Sequence, residues 1–203
     1  FQKYAVIEMG AYLQGSIKNL CNLTPPKAGI ITAVGLAHLE RFKTPENVIL
    51  AKSELAQAIP ADGILVCNGD NAGARKISEL HKKTTTKLYG LNKDSGHLDY
   101  LVTDLKFSSE GSNFKINFSG QSLDAFTKLS GRPNISNILA SFALAHTLGA
   151  SPELLLAAIR NLEPFDTRLE VRKMGHYTQI NDAYNSNPEG FAAAIEVLEQ
   201  LSG

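Results

Sequence analysis

Residues 28–34 read AGIITAV, an unbroken apolar run of small and β-branched side chains that ends in a Gly-containing loop reaching His38. A run of this length without polar alternation predicts a strand buried on both faces, as in a parallel sheet. A second run lies downstream, DGILVC at 62–67, ending at Asn68-Gly69-Asp70-Asn71. A third lies upstream, YAVIE at 4–8, and reads as a buried strand whose carboxyl end carries Glu8. Helical periodicity over about 45–59 and 72–83 fills the intervals. Strands alternating with helices predict an α/β fold, a largely parallel sheet flanked by helices.

The pattern changes between about 86 and 129. Lys87–Gly90, Tyr100–Ser108, Asn113–Phe118 and Asp124–Lys128 alternate and are split by Ser, Gly, Asn and Asp. They predict a small antiparallel β subdomain appended to the main sheet. Helices follow at about 134–148 and 152–161, then strands at Arg168–Met174 and Thr178–Asp182. A closing helix starts at Pro188, a residue suited to a first helical turn. The last stretch reads as the start of a second α/β domain.

Composition narrows the function classes. Lys plus Arg and Asp plus Glu number 20 each, so no net charge recruits nucleic acid or an anionic membrane. Trp is absent and aromatics make up 7%, too few for base-stacking platforms. The two cysteines, Cys21 and Cys67, are too few and too far apart for a disulfide framework or a zinc site, which predicts a reducing, cytoplasmic setting. No signal peptide and no apolar run of membrane-spanning length is present, so no membrane insertion is expected. A chain opening at Phe1 directly into a strand-like segment reads as a fragment.

Several residues carry candidate chemistry. Glu8, at the carboxyl end of its run, sits where open parallel sheets collect ligands, and a hard oxygen there suits Mg²⁺; a solvated acid at a strand end is the plainer reading. His38 alone is weak evidence, since Mg²⁺ prefers oxygen. Lys52 falls in the stripe formed by Val48, Ile49, Leu55, Ala56 and Ile59. A core-facing lysine has a lowered pKa and a nucleophilic amine able to take up CO₂ as a carbamate. The same position also allows a lysine snorkelling from the stripe's edge. Asn134 and Asn137 open a helix, Asn134 as its N-cap, or their amides read an adenine edge. Arg168 offers a bidentate phosphate clamp, and Asp182 offers acceptors for ribose hydroxyls. The run Asn181–Pro188 is equally well a polar turn. No G-x-x-x-x-G-K-[ST] loop occurs in the chain.

In order along the chain, VIEMGAYLQGSI, GLAHLERF, AKSEL, NGDN, GRPNISNILASFALAHTLG, TRLEV and INDAYNSNPEGFAAAIEVL resemble the Mur ligase family. The 14 positions from His38 to Lys52 match that family's spacing from metal-binding His to carbamylated Lys. The spelling is closest to the member that adds D-alanyl-D-alanine to UDP-N-acetylmuramoyl-tripeptide, although Pro133 stands where the family usually has His. The resemblance implies an ATP-dependent amide ligase working through an acyl phosphate. Residues 1–166 would be the central ATP-binding domain without its N-terminal phosphate loop, and 167–203 the beginning of the C-terminal domain. Glu8, His38 and carbamylated Lys52 would hold two Mg²⁺ ions. Asn134 and Asn137 would contact adenine, Arg168 a phosphate and Asp182 the ribose, with Tyr184, Asn185 and Asn187 lining the nucleotide pocket. Lys52, His38 and Arg168 would serve catalysis. A cytoplasmic monomer is expected, inactive as this isolated stretch. Other Mur-type ligases, folylpolyglutamate synthetase and a catalytically dead scaffold are the alternatives.

Overall fold

The computed structural model describes residues 4–35, 42–184 and 188–202. The chain forms two compact units, 1–87 and 88–203.

In the first unit, β1 (Ala28–Ile31) and β2 (Ile64–Asn68) pair in parallel, from Ala28 opposite Ile64 to Ile31 opposite Cys67. Parallel neighbours need a crossover, and α2 (Pro45–Ala58) supplies it. Three local signals start this helix: Thr44 accepts from the Asn47 N–H, Pro45 occupies the first turn, and Glu46 lies near the positive end of the dipole. Leu65, Val66 and Cys67 are fully buried, and burial pushes the Cys67 thiol up to about 12. Both cysteines are free and buried. Next comes α3 (Ala72–Leu80), capped by the Asn71 side chain.

A further helix, α1 (Ser16–Leu23), is absent from the sequence reading. It is too short to be stable alone, and its own first residues supply no side-chain cap. The cap comes from α2, where the Glu54 carboxylate accepts from Gly15 N at 2.5 Å and Lys18 N at 2.8 Å. Ile17 and Cys21 form its buried face.

The strand expected at Tyr4–Glu8 does not form. These residues lie outside every strand, and Val6 is 100% exposed. An apolar run becomes a strand only where a neighbouring strand accepts its backbone hydrogen bonds, and no described strand neighbours it in either sheet.

β3 (Thr85–Gly90) spans the division between the units. In the second unit it is followed by β4 (Tyr100–Ser108), β5 (Gly111–Phe118) and β6 (Gln121–Thr127), neighbouring one another in that order. β4, β5 and β6 form the expected antiparallel meander. The β3–β4 pairing, expected to be antiparallel, is parallel, with Tyr89 opposite Tyr100 and Gly90 opposite Leu101. The link 91–99 contains a short 3₁₀ turn at Lys93–Ser95, and Asp99 closes it on Leu88 through two 2.8 Å bonds. So short a crossover leaves room for only a brief parallel ladder.

α4 (Arg132–Thr147) buries Ile135, Ile138, Leu139, Phe142 and Ala143. Phe142 and His146 join Tyr100 and Phe118 in an aromatic cluster, where the Tyr100 hydroxyl lies 2.9 Å from His146 Nδ1. α5 (Pro152–Arg160) is capped by Ser151. β7 (Glu170–Met174) and β8 (Tyr177–Asn181) form a separate hairpin, and α6 (Pro188–Ser202) closes the unit. Gln200 on α6 accepts from Phe107 N at 3.1 Å, and Glu196 meets Arg132 at 2.7 Å. The architecture is α/β: a mixed sheet with flanking helices and a small two-stranded sheet.

Candidate functional site

Lys52 occupies the half-buried side of α2, between fully buried Ala51 and Ser53. Its Nζ donates to the Ala33 carbonyl at 2.6 Å, and burial lowers its pKa. Ala33 lies just past the carboxyl end of β1, so the amine is held where the parallel pair opens. Val34, the next residue, is gripped by Asn71. Its N–H donates to Asn71 Oδ1 at 3.0 Å, its carbonyl lies 3.5 Å from Asn71 Nδ2, and the same Oδ1 caps α3 through Ala74 N at 2.9 Å.

Glu8 lies exposed on irregular chain. Its neighbour Met9 is tied to α1 through a 3.7 Å contact between Met9 Sδ and Cys21 Sγ. His38 lies outside the described residues, as do Asn185 and Asn187. Among the described residues no three His, Cys, Asp or Glu side chains come together as a metal site. The unmodified lysine, a cation facing a carbonyl, is not a metal ligand. What fits is the chemistry of the amine itself, since a half-buried lysine with a lowered pKa is suited to taking up CO₂.

In the second unit, the predicted nucleotide residues gather around two turns. The Arg168 guanidinium stacks over the Tyr184 ring, 4.0 Å from its centroid, and Tyr184 N donates to Thr167 O at 3.1 Å. Asp182 Oδ1 accepts from Leu169 N at 3.1 Å, so one carboxylate oxygen fixes the Arg168 turn. Thr167 and Leu169, on either side of Arg168, have φ of 67° and 49°, a region that non-glycine residues adopt at a cost. Leu169 is buried and lies against Gly131, where an added Cβ would stand 2.6 Å from its Cδ1. That contact joins the Gly131–Asn134 segment to the Arg168 turn.

Asn134 is not the N-cap expected from sequence. α4 begins two residues earlier, with Gly131 at the cap position and Pro133 in the first turn. Proline there costs nothing, because its missing N–H has no helical partner. Asn134 instead turns back to donate to Ser130 O at 2.8 Å. Asn137, one turn on, is exposed on the same face.

Two residues escaped the sequence reading of the site. Asn71 had a local signal, as an Asn immediately before a helical pattern. Glu54 had none, because its partners on α1 lie 36 and 39 positions away.

Such a chain, with an α/β fold and a half-buried lysine at the opening of a parallel strand pair, falls within one family of ligases. The profile of the Mur ligase middle domain matches residues 2–145, and the chain belongs to the Mur ligase family. It is similar to UDP-N-acetylmuramoyl-tripeptide–D-alanyl-D-alanine ligase of Escherichia coli (strain K12), at 31% identity over 98% of this chain and 44% of that one. The Bacillus subtilis (strain 168) enzyme of the same name is 32% identical over 98% and 42%. Among solved structures, MurF from Acinetobacter baumannii superposes with a TM-score of 0.86 at 28% identity, covering 98% of this chain and 43% of that one. MurF ligase from Thermotoga maritima in complex with ADP gives 0.83 at 25% identity, covering 95% and 44%. The chain thus spans less than half the length of these relatives. Among the described residues no helix is long and apolar enough to cross a membrane.

Proposed function

We propose that the full-length protein is an ATP-dependent ligase of peptidoglycan-precursor synthesis that joins D-alanyl-D-alanine to UDP-N-acetylmuramoyl-tripeptide. The observation that carries this reading within the family is the Lys52 amine, half-buried, lowered in pKa and held at the carboxyl end of β1. The names of these two relatives supply the substrate pair.

In the reaction the tripeptide carboxylate takes the γ-phosphoryl group of ATP, leaving ADP and an acyl phosphate. The dipeptide amine then attacks the acyl carbon, loses a proton, and inorganic phosphate departs. Glu8, His38 and a carbamate on Lys52 would hold two Mg²⁺ ions, whose charge would offset that of the phosphoryl oxygens. Arg168 sits on Tyr184 with its planar face covered, and its N–H edges would clamp a phosphate. Asn134 and Asn137, one turn apart on one helix face, would read adenine; Asp182 would take the ribose, with Tyr184, Asn185 and Asn187 lining the pocket.

On this reading, 1–166 belongs to the ATP-binding domain and 167–203 opens the domain for the incoming dipeptide. The protein would work as a cytoplasmic monomer, and the isolated 203 residues would not turn over ATP. Phosphate release by the full-length protein is the test, with the tripeptide acceptor and either D-alanyl-D-alanine, meso-diaminopimelate, lysine or glutamate. Release with the dipeptide alone is expected. Turnover with another amine would move the assignment to a sister ligase or a folylpolyglutamate synthetase, and no turnover with any would leave a scaffold.

A further inference from the structure

We propose that Asn71 is a positioning residue for Lys52, acting through the Ala33–Val34 backbone; the catalytic part of this rests on the function proposed above. The partner of the Lys52 amine is a main-chain carbonyl on irregular chain, Ala33 O at 2.6 Å. A carbonyl there orients an amine only if the backbone that carries it is held in place.

The β1–β2 ladder cannot hold it, because the pairing ends at Ile31 opposite Cys67. Beyond that point the Asn71 side chain takes over. Its amide faces both the N–H and the C=O of Val34, at 3.0 and 3.5 Å, as the backbone of a neighbouring strand would. The anchor is itself fixed, since the same Oδ1 caps the first turn of α3 through Ala74 N.

Packing supports the same linkage independently. A Cβ on Gly73 would lie 2.5 Å from Val34 Cβ, so the loop is seated flush on that turn of α3. Val34 also packs against the cluster of Phe42, Val48 and Ala51, of which Ala51 directly precedes Lys52 on α2. A circuit therefore runs from α2 through Lys52 to Ala33 and Val34, and through Asn71 to α3. Loosening Asn71 frees the acceptor that orients the amine. Asn71 carries no charge, and among the described residues its side-chain hydrogen bonds go to backbone groups, which makes its role positional.

An N-cap alone would also explain an Asn at this position, and the two roles separate on side-chain length. Asn71→Ser keeps a capping oxygen but is too short to span both Val34 groups; Asn71→Ala loses cap and clamp together. Gly73→Ala displaces Val34 and leaves Asn71 in place. In the full-length protein, kcat, KM for the dipeptide, thermal midpoint and the rate of Lys52 acylation by acetic anhydride are measured for each.

For Asn71→Ser the midpoint should stay within about 2 °C of wild type, as a retained cap implies. Its kcat should fall roughly tenfold or more at unchanged KM, as misplacement of a catalytic group implies. Lys52 acylation should change by about threefold or more as its carbonyl partner is released. Gly73→Ala should move kcat and acylation in the same directions. Wild-type kcat and wild-type Lys52 acylation in Asn71→Ser would overturn the proposal. Normal turnover by Lys52→Ala would instead overturn the proposed function, and the acylation rates would still decide whether Asn71 governs Lys52.

Discussion

Lys52 and Arg168 are both candidate charge-handling residues, and the molecule positions them by opposite means. Lys52 is drawn into a packed crossover, where burial lowers its pKa and a backbone carbonyl holds its amine. Arg168 is exposed and rests on an exposed tyrosine ring, on a turn with positive φ at both neighbours. Each such residue costs about 1–3 kcal/mol. Burial of Leu169 against Gly131 and the bond from its N–H to Asp182 offset that cost. Desolvation changes what an amine can do chemically, while backbone strain only aims a guanidinium that stays in water. The first arrangement suits a group that must be modified, the second a group that meets a ligand arriving from solvent.

Removing each residue should expose the contrast, beginning with the larger loss. Lys52→Ala in the full-length protein should lower kcat roughly a thousandfold, about 4 kcal/mol, with the fold intact by circular dichroism. Retention of most activity would place the two residues on an equal footing. Gly131→Ala attacks the support of the Arg168 turn rather than Arg168 itself. With φ at 88° and Leu169 in the way, it should destabilise the protein by about 2 kcal/mol in urea unfolding. A silent substitution would mean that Leu169 gives way freely and does not brace the turn.

Arg168→Ala should raise KM for ATP about tenfold and change kcat less, as expected for a group that binds rather than reacts. A collapse of kcat alone would erase the distinction drawn here. The smallest effect concerns stability. The folded state holds Lys52 with a lowered pKa, so above that pKa and below 10.5 the unfolded chain binds the extra proton. Its contribution is therefore unfavourable at neutral pH and is relieved as pH rises through the folded pKa towards 10.5. Lys52→Met should stabilise the chain at pH 7 by up to about 1 kcal/mol, and the gain should shrink as the buffer is made more alkaline. A gain independent of pH would show that the amine carries no desolvation cost.

Much of the fold was legible because its signals are local. Thr44-Pro45-Glu46 announces α2 within one turn, and the alternation of 100–127 announces the meander. Lys52 was legible for the same reason, since it breaks a stripe whose period is set by one helix. Arg168, Asp182 and Tyr184 could be singled out by type, but nothing local says that one carboxylate locks the turn or that the guanidinium stacks on the ring. Asn134 misled because a capping residue and a residue three places into a helix look alike until Pro133 is assigned to the first turn.

The amino-acid sequence by itself determined the alternation of strands and helices, the family, and which side chains are candidates for its chemistry. Only the tertiary structure decided that, among the described residues, the apolar run at 4–8 lies outside every strand while 28–31 forms one, that β3 and β4 run in parallel, and that Ala33 takes the Lys52 amine. The physical reason is range. Periodicity and capping act over three or four positions, whereas Lys52 reaches its carbonyl across 19 positions and Asn71 reaches Val34 across 37, distances that only a folded chain closes.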